Sequence, residues 1–239
     1  MDSYRFPDPE TLGEAIAQRI VDRLRARPAS VLALASGKTP VPVYDALVRR
    51  YRAGEVSFAQ ATVFALDEYL GVAPDDPLSF AGFFRQHLFS RVDLAPERCF
   101  VPDGSAGDPD LECRSYEARI LAAGGIDLSV LGIGPNGHIA MNEPGPVLFP
   151  ATHVEELSRQ TRELLPAALS HVRAGLTMGM ATLLNAAEVM LLATGAAKAE
   201  IVSRAVLPVL DPMVPASFVK LHPRALLAVD AAAGSSLVG

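Results

Sequence analysis

Residues 131–145 carry the side chains of this sequence that are best suited to acid–base chemistry. The segment contains four glycines together with Asn136, His138 and Glu143, and it continues the apolar run 126–133. Such a pattern is typical of a buried strand that ends in a tight loop. Histidine and glutamate transfer protons near neutral pH when they meet across a loop. We therefore predict a catalytic loop, the alternative being a glycine-rich turn with a surface histidine. Two of its glycines are assigned as substrate contacts: Gly134 and Gly137.

A second polar loop, Ser36-Gly37-Lys38-Thr39, follows the apolar run 30–35. We predict that Thr39 caps the next helix and that Pro40 takes its first position. The free N–H groups and the positive end of that helix suit a phosphate group. A nucleotide-binding P-loop is excluded because its first glycine would fall at Leu32. The loop is predicted to bind phosphate, unless it is a plain capped turn.

Three charged side chains elsewhere are further candidates. Asp67 follows the apolar run 61–66 and is either a general base or a cap for the next segment. Lys198 comes shortly after the apolar run 188–193, at the start of a predicted helix, where a cation opposes the helix dipole. Its position therefore calls for an anion nearby, although a solvated lysine is the alternative. Arg173 is a second candidate cation, with an exposed arginine as its alternative.

Apolar runs of strand length alternate with segments of helical periodicity along the chain. This alternation predicts an α/β fold, a doubly wound and mainly parallel sheet with helices on both faces. Ligands of such sheets lie beyond the carboxyl ends of the strands, where the polar loops fall. We treat residues 1–239 as a single domain and expect residues 146–155 to form an excursion or lid. The predicted strands are 30–35, 61–66, 126–133, 188–193 and 225–229.

The composition excludes several classes of protein. The 239 residues carry a formal charge of -6, which does not favour a nucleic-acid or anionic-membrane surface. The two cysteines form no disulfide framework, and no apolar run reaches the length of a membrane span. The N-terminus lacks the apolar region of a signal peptide. We therefore expect a cytoplasmic protein without nucleic-acid or membrane partners, and homo-oligomers stay open.

Four segments together resemble the glucosamine-6-phosphate deaminase/isomerase family, which shares a superfamily with 6-phosphogluconolactonase and ribose-5-phosphate isomerase. The third segment is the most specific, because its Asn-Glu-Pro ending separates the deaminases from the lactonases. Weaker similarity extends over nearly the whole chain, and the resemblance implies a Rossmann-like form of the predicted fold. The segments are 34–40 (LASGKTP), 66–69 (LDEY), 132–145 (GIGPNGHIAMNEPG) and 193–199 (ATGAAKA).

The resemblance implies a reaction, a phosphosugar partner and roles for individual residues. The reaction is aldose–ketose isomerisation of a hexosamine 6-phosphate, with release of ammonia and formation of a ketohexose 6-phosphate. Asp67 matches the general base that moves a proton between C2 and C1, His138 the acid–base that opens the sugar ring, and Glu143 its carboxylate partner. No metal or organic cofactor is implied. The matched phosphate ligands are Ser36, the amides of Gly37, Lys38 and Thr39, and Lys198.

Two departures from the family pattern concern the site. Asn136 stands where the best-known members have aspartate, and an amide neither accepts a proton nor carries charge. We expect Asn136 to hold the imidazole by a hydrogen bond, and Glu143 to supply more of the field. The arginine-containing stretch that usually follows the Glu-Pro pair is missing from residues 146–166. We expect Arg173 to take over part of the phosphate binding.

The epimer and the reaction both have alternatives. Asn136 and the segment 215–218 (PASF) are more similar to the galactosamine-6-phosphate branch of the family, so both hexosamine phosphates stay open as substrates. A 6-phosphogluconolactonase-like hydrolase or a simple sugar-phosphate isomerase on the same fold is one alternative. A non-catalytic sugar-phosphate sensor is another, although the sequence shows no DNA-binding segment or basic cluster of the kind that regulators carry.

Overall fold

A seven-stranded sheet and a three-stranded sheet organise the computed structural model, which describes residues 1–237. Neighbouring strands of the larger sheet are all parallel. The smaller sheet is antiparallel. The strands are β1 (Asp2–Phe6), β2 (Val31–Leu34), β3 (Thr62–Ala65), β4 (Asp67–Tyr69), β5 (Cys99–Phe100), β6 (Leu128–Gly132), β7 (His153–Glu156), β8 (Ala174–Thr177), β9 (Val189–Ala193) and β10 (Ala225–Asp230).

Helices cover both faces of the larger sheet, whose strand order is β1-β10-β9-β6-β2-β3-β5. The helices are α1 (Pro9–Ala26), α2 (Val41–Arg52), α3 (Phe80–His87), α4 (Pro109–Ala122), α5 (Arg159–Glu163), α6 (Met180–Leu184) and α7 (Ala199–Val206). Buried residues of α1, α2 and α3 form the core on one face, and those of α4, α6 and α7 form the core on the other. The predicted doubly wound, mainly parallel sheet is confirmed.

The central strands are apolar on both sides because both of their faces are covered. In β2, Leu32 and Leu34 belong to the core beneath α1 and α2, whereas Val31 and Ala33 belong to the opposite core. All four side chains are buried. This two-sided burial explains why the strands of the sequence are continuous apolar runs, and it leaves polar side chains to the strand ends.

The direction in which the chain adds strands reverses between β2 and β6. β2 leads to β3 on one side, whereas β6, its neighbour, leads to β9 on the other. The loops that follow β2 and β6 therefore diverge and leave a crevice at the carboxyl edge of the sheet, the usual ligand site of such folds. The polar segments 36–39 and 133–138 lie in these two loops.

The smaller sheet was not predicted from the sequence. Asp67 does not merely end a strand but begins β4, whose residues 67–69 pair antiparallel with β8, and β8 pairs in turn with β7. The predicted excursion 146–155 therefore runs into the start of β7. The edge strands β1 and β5 were also missed, β1 because its exposed residues lack an apolar run and β5 because it has two residues.

The start of α2 differs from its prediction by one residue. Pro40, not Thr39, takes the N-cap position, and no side chain caps the helix. The hydroxyl of Thr39 instead accepts a hydrogen bond from the hydroxyl of Thr194, 3.3 Å away in the loop after β9. The loop after β2 is thereby joined to a second loop at the same edge. No helix among residues 1–237 is long and apolar enough to cross a membrane.

Candidate active site

A pocket of about 280 Å³ lies at the carboxyl edge of the larger sheet. It brings together segments that are far apart in the sequence: residues 36–39 after β2, Asp67 after β3, the loop after β6, and Lys198 after β9. The predicted site residues that line it are Ser36, Gly37, Lys38, Thr39, Asp67, Gly134, His138 and Lys198. The spatial convergence on which the sequence prediction depends is therefore present.

Asp67 is a buried carboxylate at the inner wall of the pocket, with an exposed fraction of 5%. Its Oδ1 atom is buried and has no hydrogen-bond partner within residues 1–237. Burial, reinforced by the negative charge of Glu68, raises the pKa of Asp67 to about 8. Such a carboxylate is a much stronger base than one in water. These features suit the general-base role predicted for Asp67, which stays a prediction.

His138 lies beside Glu143 within the loop that follows β6. The imidazole Nδ1 and the Glu143 Oε2 atoms are 3.6 Å apart, which is longer than a hydrogen bond. Burial opposes the ionisation of Glu143, but its contacts with His138, Thr161 and Asn136 outweigh burial and bring its pKa to about 2. Glu143 is therefore a permanent anion near the imidazole, although it does not itself line the pocket.

Asn136 does not hold the imidazole ring as predicted. Its Nδ2 donates to Glu143 Oε2 at 2.6 Å and to Ser158 Oγ at 3.3 Å. Its Oδ1 accepts from the backbone N–H of His138 at 3.2 Å, not from the ring. An amide at this position stabilises the ionised Glu143 by donating to it, whereas an aspartate would place a second negative charge against the same oxygen.

The two glycines assigned to substrate contact have structural roles in this loop. A Cβ atom at Gly134 would overlap the imidazole of His138, so the absence of a side chain makes room for the ring. Gly134 also lines the pocket, in agreement with its assignment. Gly137 has a φ of 95°, which favours glycine, and it packs against Ile201 and Val214. Gly137 is not part of the pocket lining.

Part of the pocket lining consists of residues 36–39 after β2, including Lys38, and of a second lysine, Lys198. Gly37, with a φ of 93°, turns the chain so that residues 36–39 face the pocket. The Nζ of Lys198 donates to the carbonyl of Ile133 at 2.6 Å. Burial lowers the pKa of Lys198 to about 8, so an anion beside it would stabilise its charged form. Backbone amides and lysines of this kind are suited to binding a phosphate group.

Asp230 holds the turn from which Lys198 reaches the pocket, and sequence reasoning did not identify it as functional. Its buried carboxylate accepts the N–H of Gly195 at 3.0 Å and the N–H of Ala233 at 2.7 Å. Gly195 adopts a φ of 88° in this turn. The signal in the sequence was an acidic residue directly after a buried strand, the same signal that identified Asp67.

Arg173 is not brought to the pocket. Its guanidinium Nη1 donates to the carbonyls of Ser170 and Val172, at 2.6 and 2.9 Å, within its own loop. The geometry therefore does not support its predicted phosphate contact. Lys38, which lines the pocket beside Ser36, is a second cation in place of the expected arginine.

The segment at the mouth of the pocket was also missed as a functional element. Thr161 lies in α5, and Leu164 and Leu165 follow this helix; all three residues line the pocket. Ser158 caps α5, and its backbone N–H donates to Glu143 Oε1 at 3.3 Å. This helix is therefore fastened to the acid–base pair of the site. Its five residues are too short for a periodic pattern to reveal it.

Comparison with known families agrees with this arrangement. Residues 9–227 match the family model described as glucosamine-6-phosphate isomerases/6-phosphogluconolactonase. The chain belongs to this family. Within it, the chain is 44% identical over 235 residues to the glucosamine-6-phosphate deaminase of Rhodopirellula baltica, covering 97% of this chain and 94% of the relative. It is 42% identical to the glucosamine-6-phosphate deaminase of Hahella chejuensis, covering 96% and 89% of the two chains.

Solved structures of the family share the fold. A structure described as a monomeric glucosamine-6-phosphate deaminase superposes with a TM-score of 0.95 at 36% identity, covering 99% of this chain and 100% of the other. The 6-phosphogluconolactonase of Thermotoga maritima superposes with a TM-score of 0.77 at 23% identity, covering 96% and 99%. The second similarity concerns the fold alone. The resemblance inferred from the four sequence segments is confirmed.

Proposed function

We propose that this chain is a glucosamine-6-phosphate deaminase, which converts the amino-sugar phosphate to the ketohexose 6-phosphate and ammonia. The observation that carries the proposal is that one pocket is lined both by the buried carboxylate of Asp67, whose Oδ1 has no hydrogen-bond partner among residues 1–237, and by Lys38 and Lys198. The deaminase relatives, which match over nearly the full chain, support it. Residues 1–239 act in this proposal as one domain, whose partner is a small phosphosugar.

Ring opening falls to the pair His138 and Glu143. Opening the pyranose requires a proton to leave the hydroxyl at C1 and a proton to reach the ring oxygen. The imidazole lines the pocket and can both accept and donate a proton, and the Glu143 carboxylate lies 3.6 Å from its Nδ1 atom. Asn136 keeps Glu143 in place and ionised by its hydrogen bond.

Isomerisation and deamination follow from the basicity of Asp67. The carboxylate removes the proton from C2 of the open-chain aldehyde, and its acid form returns the proton to C1. The double bond thereby moves, the amine at C2 becomes an imine, and addition of water releases ammonia and leaves the ketone. Because the group that accepts the proton also donates it, its pKa needs to lie near the working pH, as that of Asp67 does.

Phosphate binding is assigned to residues 36–39 and the two lysines. These groups contact the substrate at the end opposite to the reacting carbons, so they contribute binding in the ground state and the transition state alike. Arg173 stays a prediction without support from the geometry, since it faces its own loop. The short hydrogen bond from Lys198 to Ile133 holds the ammonium in place for the anion.

Turnover of three substrates tests this function. Purified protein is incubated with glucosamine-6-phosphate, galactosamine-6-phosphate and 6-phosphogluconolactone, and ammonia, ketose phosphate and lactone hydrolysis are measured. We expect equal amounts of ammonia and ketose phosphate from glucosamine-6-phosphate. Preference for the galactosamine epimer would reassign the substrate. Lactone hydrolysis without ammonia would overturn the proposal, and tight phosphosugar binding without turnover of any of the three would indicate a sensor.

A further inference from the structure

Glu68, the residue after the proposed base, is a fully buried carboxylate to which the proposed reaction gives no role. Its exposed fraction is 0%. Its oxygens accept three backbone N–H groups, from Tyr69 at 2.8 Å and from Phe80 and Ala81 at 2.9 Å each. Burial raises the pKa of Glu68, while these three hydrogen bonds oppose the rise by stabilising the anion. Glu68 is thus solvated by amides rather than by a cation.

Two of these donors are the first residues of α3. Phe80 and Ala81 begin this helix, so Glu68 lies at its positive end and satisfies N–H groups that no helical carbonyl can accept. One consequence is local order, because the carboxylate ties α3 to β4, the strand that carries Asp67. Glu68 therefore fixes both the strand that carries Asp67 and the start of α3.

Glu68 also positions two aromatic rings that form a wall of the pocket. The rings of Tyr69 and Phe80 pack with their centroids 4.4 Å apart, and both residues line the pocket that contains Asp67. Each of the two residues donates its backbone N–H to Glu68. Movement of this carboxylate would displace both rings together, on the side of the pocket where the sugar carbons would meet Asp67.

We propose that Glu68 is a positioning residue, which fixes the Tyr69–Phe80 wall and places a second buried carboxylate next to Asp67 in β4. The inference rests on the proposed function, since it concerns the base of that reaction. Glu68 does not line the pocket and acts through its neighbours. Three amide hydrogen bonds stabilise its anion in the absence of a cation, and a negative charge this close makes Asp67 a stronger base.

Other titratable groups around the two carboxylates do not account for this effect. Tyr44 of α2 and Tyr116 of α4 approach Asp67, and burial raises the pKa of both phenols well above the usual value, which keeps them neutral. Asp76 adds negative charge near Glu68 from the loop before α3. Lys38 and Lys198 line the same pocket, and a positive charge close to Asp67 would lower its pKa, which is opposite to the effect of Glu68.

Ser79 offers a matched control for the structural part of this role. It is the N-cap of α3, it is buried, and its hydroxyl accepts the N–H of Gly82 at 2.8 Å. Ser79→Ala removes a cap from the same helix end without changing any charge. A residue that merely stabilises the helix would behave as Ser79 does. A residue that sets the basicity of Asp67 would not.

The experiment compares Glu68→Gln and Ser79→Ala with the wild type by carboxyl ¹³C NMR titration of Asp67 in the ligand-free protein. We expect Glu68→Gln to lower the titration midpoint of Asp67 by about one pH unit, since a neighbouring like charge raises a carboxyl pKa. Ser79→Ala should leave the midpoint unchanged. An unchanged midpoint in Glu68→Gln, or an equal shift in both variants, would overturn the proposal.

Steady-state kinetics give the second readout. In Glu68→Gln, the acid limb of kcat/KM should move to lower pH, and kcat should fall about 10-fold because the base is weaker. Glu68→Asp, which keeps the charge but shortens the side chain, should retain the Asp67 midpoint and raise KM several-fold as the aromatic wall moves. An unchanged KM in Glu68→Asp would contradict the positioning role. This test remains valid if Glu68→Gln does not fold.

The NMR titration separates this inference from the proposed function. It requires neither substrate nor turnover. A wild-type protein that releases no ammonia would overturn the deaminase assignment, whereas the coupling between Glu68 and Asp67 would still be measured. Loss of the coupling in an active enzyme would overturn only the role given to Glu68.

Discussion

Asp67 combines a catalytic advantage with a cost in stability. Burial makes it a strong base, and the same burial penalises its ionised form in the folded protein. Because its pKa rises from 3.8 to about 8 on folding, its neutral form is favoured, and stability is lost as the pH rises through this interval. Residues selected for function at such sites commonly reduce the stability of the fold.

We predict that Asp67→Asn abolishes turnover and stabilises the protein. Removal of the base should lower kcat at least 100-fold, the lower bound typical of general-base catalysis, with little change in phosphosugar affinity. The free energy of unfolding should exceed that of the wild type by an amount that grows between pH 4 and pH 8, to on the order of a few kcal/mol. Kinetics, calorimetric titration and urea unfolding at both pH values measure these effects. A stability difference that is equal at pH 4 and pH 8 would contradict the desolvation of Asp67.

The pH dependence of kcat/KM should be a narrow bell centred near pH 8. Activity rises as Asp67 loses its proton and falls as Lys198 loses its own, and both pKa values lie at about 8. In Lys198→Arg the guanidinium stays charged, so the alkaline limb should move to higher pH. Lys198→Ala should raise KM with little change in kcat. Identical alkaline limbs in the wild type and Lys198→Arg would remove Lys198 from phosphate binding.

Single residues were predictable where glycine spacing or a strand end marked them. Asp67 and His138 stand at the ends of apolar runs, and the structure places both in the pocket. Arg173 was chosen only to replace a missing cation, and local sequence does not show that its guanidinium bonds to its own loop. The partners of Asn136 depend on residues up to 22 positions away, beyond any pattern in the sequence.

At the scale of elements, the turn between β9 and α7 depends on a strand that is distant in sequence. Asp230, at the end of β10, accepts the N–H of Gly195 and so fixes the approach of Lys198 to the pocket. We predict that Asp230→Ala raises KM about 10-fold and lowers the free energy of unfolding by about 2 kcal/mol, because two buried N–H groups lose their acceptor. Steady-state kinetics and urea unfolding test this.

Asp230→Asn is the control for that prediction. Its amide oxygen can still accept one of the two N–H groups, those of Gly195 and Ala233, while its NH₂ group cannot. KM should therefore lie between those of the wild type and Asp230→Ala. If both variants lose stability but retain the wild-type KM, the turn does not position Lys198.

The buried apolar strands of the larger sheet were predictable, and the smaller sheet was not. β2, β3, β6, β9 and β10 are all buried, so each is a run of apolar residues. β4, β7 and β8 have three or four residues, and they exist because they pair with one another. Pairing across more than 100 residues, as between β4 and β8, leaves no local periodicity.

At the scale of the whole molecule, the pocket joins loops that follow different strands of the larger sheet. A phosphosugar that contacts the loops after β2, β3 and β9 binds the folded chain alone and should therefore raise the midpoint of global unfolding. At a ligand concentration 100 times the Kd, the gain is about 2.7 kcal/mol. Thermal unfolding of Asp67→Asn with glucosamine-6-phosphate measures it without consuming the ligand.

Glucosamine without phosphate is the matched ligand for that measurement. It should give a much smaller shift, since it lacks the anion that residues 36–39 and the lysines are proposed to bind. Equal shifts from the two ligands would mean that the sugar and not the phosphate provides the affinity, and would contradict the proposed phosphate site.

The alternation of strands and helices predicted the fold, but only the order of strands in the sheet explains why these loops meet.

The position of β10 has a consequence for synthesis of the protein. β10 lies between β1 and β9, and β1 pairs with β10 along its whole length. Residues 225–230 are translated after every other strand described here. β1, the first strand to be synthesised, therefore cannot pair until β10 has been synthesised. Asp230 arrives at the same moment and fastens the turn at Gly195. The nascent chain is therefore expected to stay inactive until this final strand inserts, and ribosome-bound chains that stop before residue 225 should bind no substrate.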